Sequence, residues 1–287
     1  MSRILGICGR LKSGKTELAK VCEKNGYKKL YFALPLKQLC ADILDISISE
    51  LNKCKNNNTN IGITINDDIC NIIHDETSIP MNVITELCLG KKIENVRQML
   101  QFIGTDLIRT YNSNWHVNRI KDMISDDVNY VFDDVRFPNE KMMIEALGGD
   151  CWFVVRPMIS NISNHESETS LTWHFFYNNL IINDSTLEPL LFKWENFIQN
   201  YDESLKLRNK LFKDILENGS PNIEKNSIAD MLFLSKAMYT YIPREYDKEK
   251  IKSVTMNNDK SVFITYKDGS IEAVENPLQI EDLKILL

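Results

Sequence analysis

Residues 4–22 read ILGICGRLKSGKTELAKVC, and this stretch decides the fold class. Ile4 to Cys8 is an apolar run too short for a helix and bounded by Gly9, which predicts a buried central strand. Gly9-Arg10-Leu11-Lys12-Ser13-Gly14-Lys15-Thr16 then matches G-x-x-x-x-G-K-[ST] in full, and Glu17 to Cys22 continues it as a helix. The glycines of such a loop let the backbone wrap closely, so that several N–H groups converge on phosphate oxygens at the positive end of the helix. Gly9, Lys12, Ser13, Gly14, Lys15, Thr16 and Glu17 form the expected nucleoside triphosphate-binding set (ATP-binding, if the chain is a kinase), with Lys15 reaching the β- and γ-phosphates and the Thr16 hydroxyl ligating Mg²⁺.

A phosphate-binding loop alone does not choose between a GTPase, a motor, a transporter ATPase and a small-molecule kinase. No Asn-Lys-x-Asp guanine signature occurs, which argues against a guanine switch. A second strand is expected at Leu30 to Ala33, leading into Pro35-Leu36-Lys37 and a helix with Leu36, Leu39, Cys40, Ile43 and Leu44 at helical spacing. The wider composition narrows the class further. The 287 residues carry 34 basic and 40 acidic side chains, a net charge of −6 that does not suit a nucleic-acid coat. No apolar run approaches the roughly 20 residues that cross a bilayer. Seven cysteines with no C-x-x-C pair disfavour a disulfide framework and a zinc site. A cytoplasmic protein without an export leader is expected.

Downstream, NVRQMLQFIGTDLIRTY (95–111) places Val96, Met99, Leu100, Ile103, Leu107 and Ile108 on one apolar stripe. Arg97 and Arg109 lie off that stripe, about a third of a turn apart on a continuous helix. A bidentate phosphate clamp and two solvated helix arginines both satisfy that spacing. Asn129 to Asp134 reads as an apolar strand ending in acids, and a phosphate-loop fold needs a carboxylate at such a strand end for Mg²⁺ or the acceptor. Asp133 and Asp134 are the pair so placed, with Arg136 close behind. A further strand, Cys151 to Val155, ends at Arg156, and the polar stretch after it reads as a lid at about 157–176. His165 within it is either a substrate donor or an exposed loop residue. Leu180 to Ile182 makes the last strand of this core, and Asn183-Asp184-Ser185 caps a helix begun by Thr186-Leu187-Glu188.

Taken together, GRLKSGKT (9–16), ALPLK (33–37), VRQMLQFIGTDLIR (96–109), VFDDVRFPNE (131–140), H-x-S-E (165–168) and LIINDSTLEPL (180–190) resemble the phage and viral deoxynucleoside monophosphate kinases. The resemblance covers roughly residues 1–46 and 93–200. It implies an α/β three-layer core with a mostly parallel sheet, transferring the γ-phosphoryl of ATP to a deoxynucleoside monophosphate with Mg²⁺. It also implies roles residue by residue. Lys15, Asp134, Arg136 and Arg156 are catalytic candidates, and Thr16 with Asp134 the metal candidates. Asn183 falls beside the nucleotide, and Lys37, Arg97, Gln101, Arg109, Arg136, His165 and Glu168 fall on the acceptor side.

Two parts fall outside the resemblance. Residues 47–92 contain KCKNNNTN (53–60) and read as an insertion or a flexible connection. Residues 203–287 read as a helical and β-meander appendage to a 1–202 core, with helices at 205–216 and 228–239 and strands at 251–256 and 262–266. That appendage leaves a homodimer surface, a lid brace, a partner module and plain packing all open. Two rival functions stand beside the resemblance: a dephospho-coenzyme A kinase-like enzyme, and a protein that binds or senses nucleotides without turnover.

Overall fold

The computed structural model describes residues 2–156, 170–176, 179–183, 186–206, 210, 246–247, 249–256, 262–275 and 277–286. Lid positions 157–169, with His165 and Glu168, and most of the helices expected at 205–216 and 228–239 lie outside these residues; the last part of the expected lid is instead a short helical turn, Trp173–Phe176, with both of those aromatic side chains buried. The chain divides into two compact units, Met1–Lys29 with Asp127–Leu287, and Leu30–Asp126.

The first unit is built on a sheet of β1 (Ile4–Gly9), β2 (Lys28–Leu30), β5 (Tyr130–Val135), β6 (Asp150–Val155) and β7 (Leu180–Ile182), in the order β2-β5-β1-β6-β7. β1 pairs in parallel with β5 and β6, and β6 with β7. The second strand is Lys28–Leu30 and not Leu30 to Ala33: it ends where the expected strand begins, with Lys28 and Lys29 on the sheet edge. Helices cover both faces, which is why β1 is apolar throughout instead of alternating. Leu5 and Ile7 pack with Leu18 and Val21 of α1 (Lys15–Lys24) and with Trp194, Phe197 and Ile198 of α9 (Leu187–Gln199). Gly6, of opposite parity, faces Ile144 of α8 (Pro138–Ala146), where a Cβ would come within 2.8 Å of the Ile144 side chain.

An aromatic cluster ties α9 to this sheet. The Trp194 ring stacks on Phe197 at 5.6 Å and meets Trp152 of β6 edge-on at 5.5 Å. Its indole N–H donates to the Leu18 carbonyl of α1 at 3.1 Å. At the C-terminal end, β8 (Ile251–Met256), β9 (Val262–Tyr266) and β10 (Ile271–Val274) form the expected antiparallel meander. Ile280 and Leu283 of α10 (Pro277–Leu286) complete its separate core with Ile251, Val262, Ile264 and Val274.

The second unit holds α2 (Leu34–Leu44), α3 (Ile48–Asn56), β3 (Asn60–Thr64), α4 (Asp67–Thr77), α5 (Met81–Cys88), β4 (Lys92–Asn95), α6 (Val96–Gln101), a π-helical segment (Phe102–Arg109) and α7 (Trp115–Lys121). Residues 47–92 thus carry regular elements with apolar residues in a shared core, including Leu51, Ile65, Ile73, Ile79 and Ile84. Lys53 to Asn56 belongs to a helix, contrary to the solvated loop its composition suggests. The reason is local: Ser47 and Glu50 form a reciprocal capping box that starts α3, and Leu51 anchors it. Asn66 and Asn95 cap α4 and α6 through their side-chain oxygens, which accept from the Ile69 and Gln98 N–H groups. The helix expected over 95–111 changes to wider turns at Phe102, a change that apolar spacing cannot signal.

His116 of α7 is 3% exposed and lies against the backbone of Phe32 and Gly104. Burial, reinforced by the Arg109 charge, lowers its pKa to about 4 and keeps the ring neutral.

Two outcomes are expected. Trp194→Ala should cost about 3–5 kcal/mol in chemical denaturation, because it removes a fully buried ring joining α9, β6 and α1. An unfolded histidine takes up its proton near pH 6.5, whereas folded His116 resists protonation down to about pH 4. Stability from this group is therefore complete above pH 6.5 and lost as pH falls toward 4, by roughly 3 kcal/mol. Denaturation series at pH 7 and pH 5 should show a shallower acid loss in His116→Phe than in the wild type.

Candidate active site

The loop after β1 is shaped by two glycines. Gly9 has φ +137°, and a Cβ there would lie 2.6 Å from the Val154 carbonyl oxygen of β6. Gly14 has φ +109° at the start of α1, and a Cβ would lie 3.0 Å from Asn183 Nδ2. Conformation disfavours a side chain at both positions, and at Gly9 the Val154 backbone also leaves no space for one. The Gly14 carbonyl accepts from the Glu17 and Leu18 N–H groups at 3.0 and 3.2 Å, which begins the helix directly behind the loop.

The remaining contacts hold the loop from several sides. Asn183, buried just after β7, donates from Nδ2 to the Ser13 carbonyl at 2.8 Å, so it supports the loop from beneath. Arg156, just after β6, donates to the Lys12 carbonyl at 2.9 Å. Lys12 itself is in the left-handed region at φ +65°. The Lys15 ammonium folds back onto the loop, donating to the carbonyls of Gly9 and Arg10 at 2.6 Å each. Thr16 is exposed in the first turn of α1, and Glu17 pairs with Lys20 at 2.8 Å.

The acids at the end of β5 sit at a break in the register. Gly6 pairs with Phe132 but Cys8 with Val135, so three steps on β5 oppose two on β1, and the extra residue falls at Asp133-Asp134. Asp133 is buried and takes an ion pair from Lys29 of β2 at 2.7 Å. Asp134 is half-buried. Of the two acids, Asp133 is buried and paired with Lys29, and Asp134 is the more accessible. Both supply hard oxygen donors, as does the exposed Thr16 hydroxyl, and such a donor set suits Mg²⁺.

Glu140 was not marked as functional by the sequence reading. It is 2% exposed, and its carboxylate accepts from the Arg136 N–H at 2.7 Å and the Phe137 N–H at 3.1 Å. The available signal was the order Phe137-Pro138-Asn139-Glu140, with proline at the first helical position and glutamate at the third. Glu140 thereby fixes the backbone that presents Arg136. Burial pushes the Cys8 thiol up to about 12, opposed by the charge of Lys15 and more weakly by that of Arg136, with Glu140 adding to the rise. Lys15, Arg136 and Glu140 thus all act at the same end of β1.

The acceptor-side candidates of the second unit are placed as follows. Arg97 and Gln101 are exposed on α6, and Arg109, half-buried, ends the π-helical segment. The angle expected between the two arginines on a continuous α-helix no longer applies. Lys37, half-buried on α2, has its ammonium 5.0 Å from the Tyr31 ring centroid. Gly104 lets this segment approach α2, since a Cβ would come within 2.3 Å of a Leu36 methyl.

Comparison with known proteins gives two findings. Residues 33–194 match the model of a family described as deoxynucleotide monophosphate kinase. A protein of Acanthamoeba polyphaga mimivirus that carries a provisional deoxynucleotide monophosphate kinase name is 26% identical over 200 residues, which cover 64% of this chain and 90% of the relative. The family match starts after the phosphate loop, so the loop's geometry is separate support, and it includes the Asp133-Asp134 strand and the Arg97 to Arg109 segment. Because that match takes in more than half of the 287 residues, the chain belongs to the deoxynucleotide monophosphate kinase family.

Proposed function

We propose that this chain transfers the γ-phosphoryl group of ATP to a deoxynucleoside 5′-monophosphate, giving a deoxynucleoside diphosphate and ADP. The observation that carries this reading is the loop Gly9–Thr16, built with both glycines at the end of β1, in a chain whose residues 33–194 match the deoxynucleotide monophosphate kinase family.

In this reading the triphosphate is bound by the loop N–H groups at the start of α1, and the Lys15 ammonium exchanges the Gly9 and Arg10 carbonyls for phosphate oxygens. Thr16 and Asp134 would hold Mg²⁺, which when bound screens the phosphate charge. Arg156, anchored on the Lys12 carbonyl, stands at the loop to stabilise negative charge on the transferring group. Arg136 is assigned to phosphate as well, with Glu140 holding its backbone. Lys37, Arg97, Gln101 and Arg109 are assigned to the acceptor. A phosphate monoester is already a competent nucleophile at neutral pH, so positioning and charge screening supply most of the catalysis.

Coupled ADP production should be measured with ATP and Mg²⁺ against deoxynucleoside monophosphates, ribonucleoside monophosphates and dephospho-coenzyme A. Turnover of deoxynucleoside monophosphates is expected, with Lys15→Ala lowering kcat/KM by about 10³-fold, in the range found when one charge-stabilising group is removed. Turnover of dephospho-coenzyme A alone would replace the acceptor. ATP binding without turnover of any acceptor would make the chain a nucleotide-binding protein.

A further inference from the structure

The C-terminal meander and α10 lie beyond the family match, yet α10 reaches into the nucleotide loop. The Arg10 side chain, second residue of that loop, donates from Nε to Oε1 of Glu281 on α10. Both side chains are buried, at 8% and 3% exposure. The next residue, Asp282, accepts from the Trp173 indole N–H at 2.7 Å in the short helical turn Trp173–Phe176. One helix therefore ties down the phosphate loop with Glu281 and the segment before β7 with Asp282. Meanwhile its apolar residues Ile280 and Leu283 anchor it in the core of the meander.

Arg10 is not a peripheral member of the loop. Its carbonyl accepts from Lys15 Nζ at 2.6 Å and from the Ser13 N–H at 3.2 Å. A displacement of Arg10 would therefore shift the lysine that reaches the phosphates and the turn leading to Gly14. A buried carboxylate is a costly tether where apolar contact alone would hold a helix, since its desolvation must be offset by a well-placed cation. Here the cation is contributed by the loop itself.

We propose that Glu281 is a positioning residue of the nucleotide site, holding through Arg10 the loop conformation that receives the triphosphate, so that the C-terminal module is a working part of ATP binding. The proposal rests on the reading of Gly9–Thr16 as a triphosphate cradle. It assigns no contact between Glu281 and the nucleotide.

The test is equilibrium binding of Mg-ATP to the full chain by calorimetry, with thermal denaturation in parallel, for the wild type, Glu281→Gln and Trp173→Phe. The second variant cuts the other tether of the same helix without touching the loop. Glu281→Gln is expected to weaken ATP binding about tenfold, within the usual range of coupling between sites. Trp173→Phe should bind within about twofold of the wild type, as substitutions outside the coupled set do. If Glu281→Gln does not fold, the paired replacement Arg10→Met with Glu281→Met removes both charges together and is expected to bind ATP as weakly. Wild-type affinity in the folded Glu281 variant would overturn the proposal. So would an affinity loss shared equally by Trp173→Phe and tracking the fall in Tm, which would mark a structural tether only. A wild-type chain that binds no nucleoside triphosphate would overturn the cradle reading and this proposal together.

Discussion

The approach of Gly9 to the Val154 carbonyl is the constraint on which the first unit depends. A side chain there would collide at 2.6 Å, so the turn out of β1 can pass over β6 only through glycine. Because it does, the chain reverses at once, and α1 starts at Lys15 with its N-terminus beside the end of the strand. The loop's own carbonyls are then held by two residues that follow strands of the same sheet, Asn183 after β7 and Arg156 after β6, and by the Lys15 ammonium at the start of α1. Each binds a loop carbonyl. The N–H groups at the start of α1 are correspondingly the ones the fold offers to an anion.

Charge is used in the first unit mainly to hold backbone and neighbouring strands. Lys29 ties β2 to β5 through Asp133, Glu140 fastens the peptide that bears Arg136, and Glu281 holds Arg10. All three carboxylates are at most 8% exposed, where an unpaired charge would be far more costly than a paired one. The aromatic cluster of Trp152, Trp194 and Phe197 does the complementary work of closing α9 onto the sheet.

In the second unit the same economy of space operates at Gly104, which faces Leu36 in a segment of π-helical turns ending at Arg109. His116 sits against that segment as a neutral ring in a dry environment. Arg109, at the end of that segment, is half-buried, and its charge helps keep the buried histidine neutral.

Much of this was legible from residue order, because local rules suffice where a signal is short-ranged. The apolar run Ile4 to Cys8, the two glycines and the Lys15-Thr16 pair dictate strand, turn and helix, and the acids closing the Asn129 to Asp134 run marked the second strand of the site. The meander at 251–274 was equally readable from its turn residues. Other features required tertiary contacts. The partner of Asp133 is Lys29, 104 residues away, and the Arg10 to Glu281 pair spans 271 residues. Composition misread 53–56 because a capping box and one buried leucine outweigh a polar sequence. Sequence determines by itself what neighbours along the chain can do; which charges meet across the fold is decided only when burial makes an unpaired one too costly to leave.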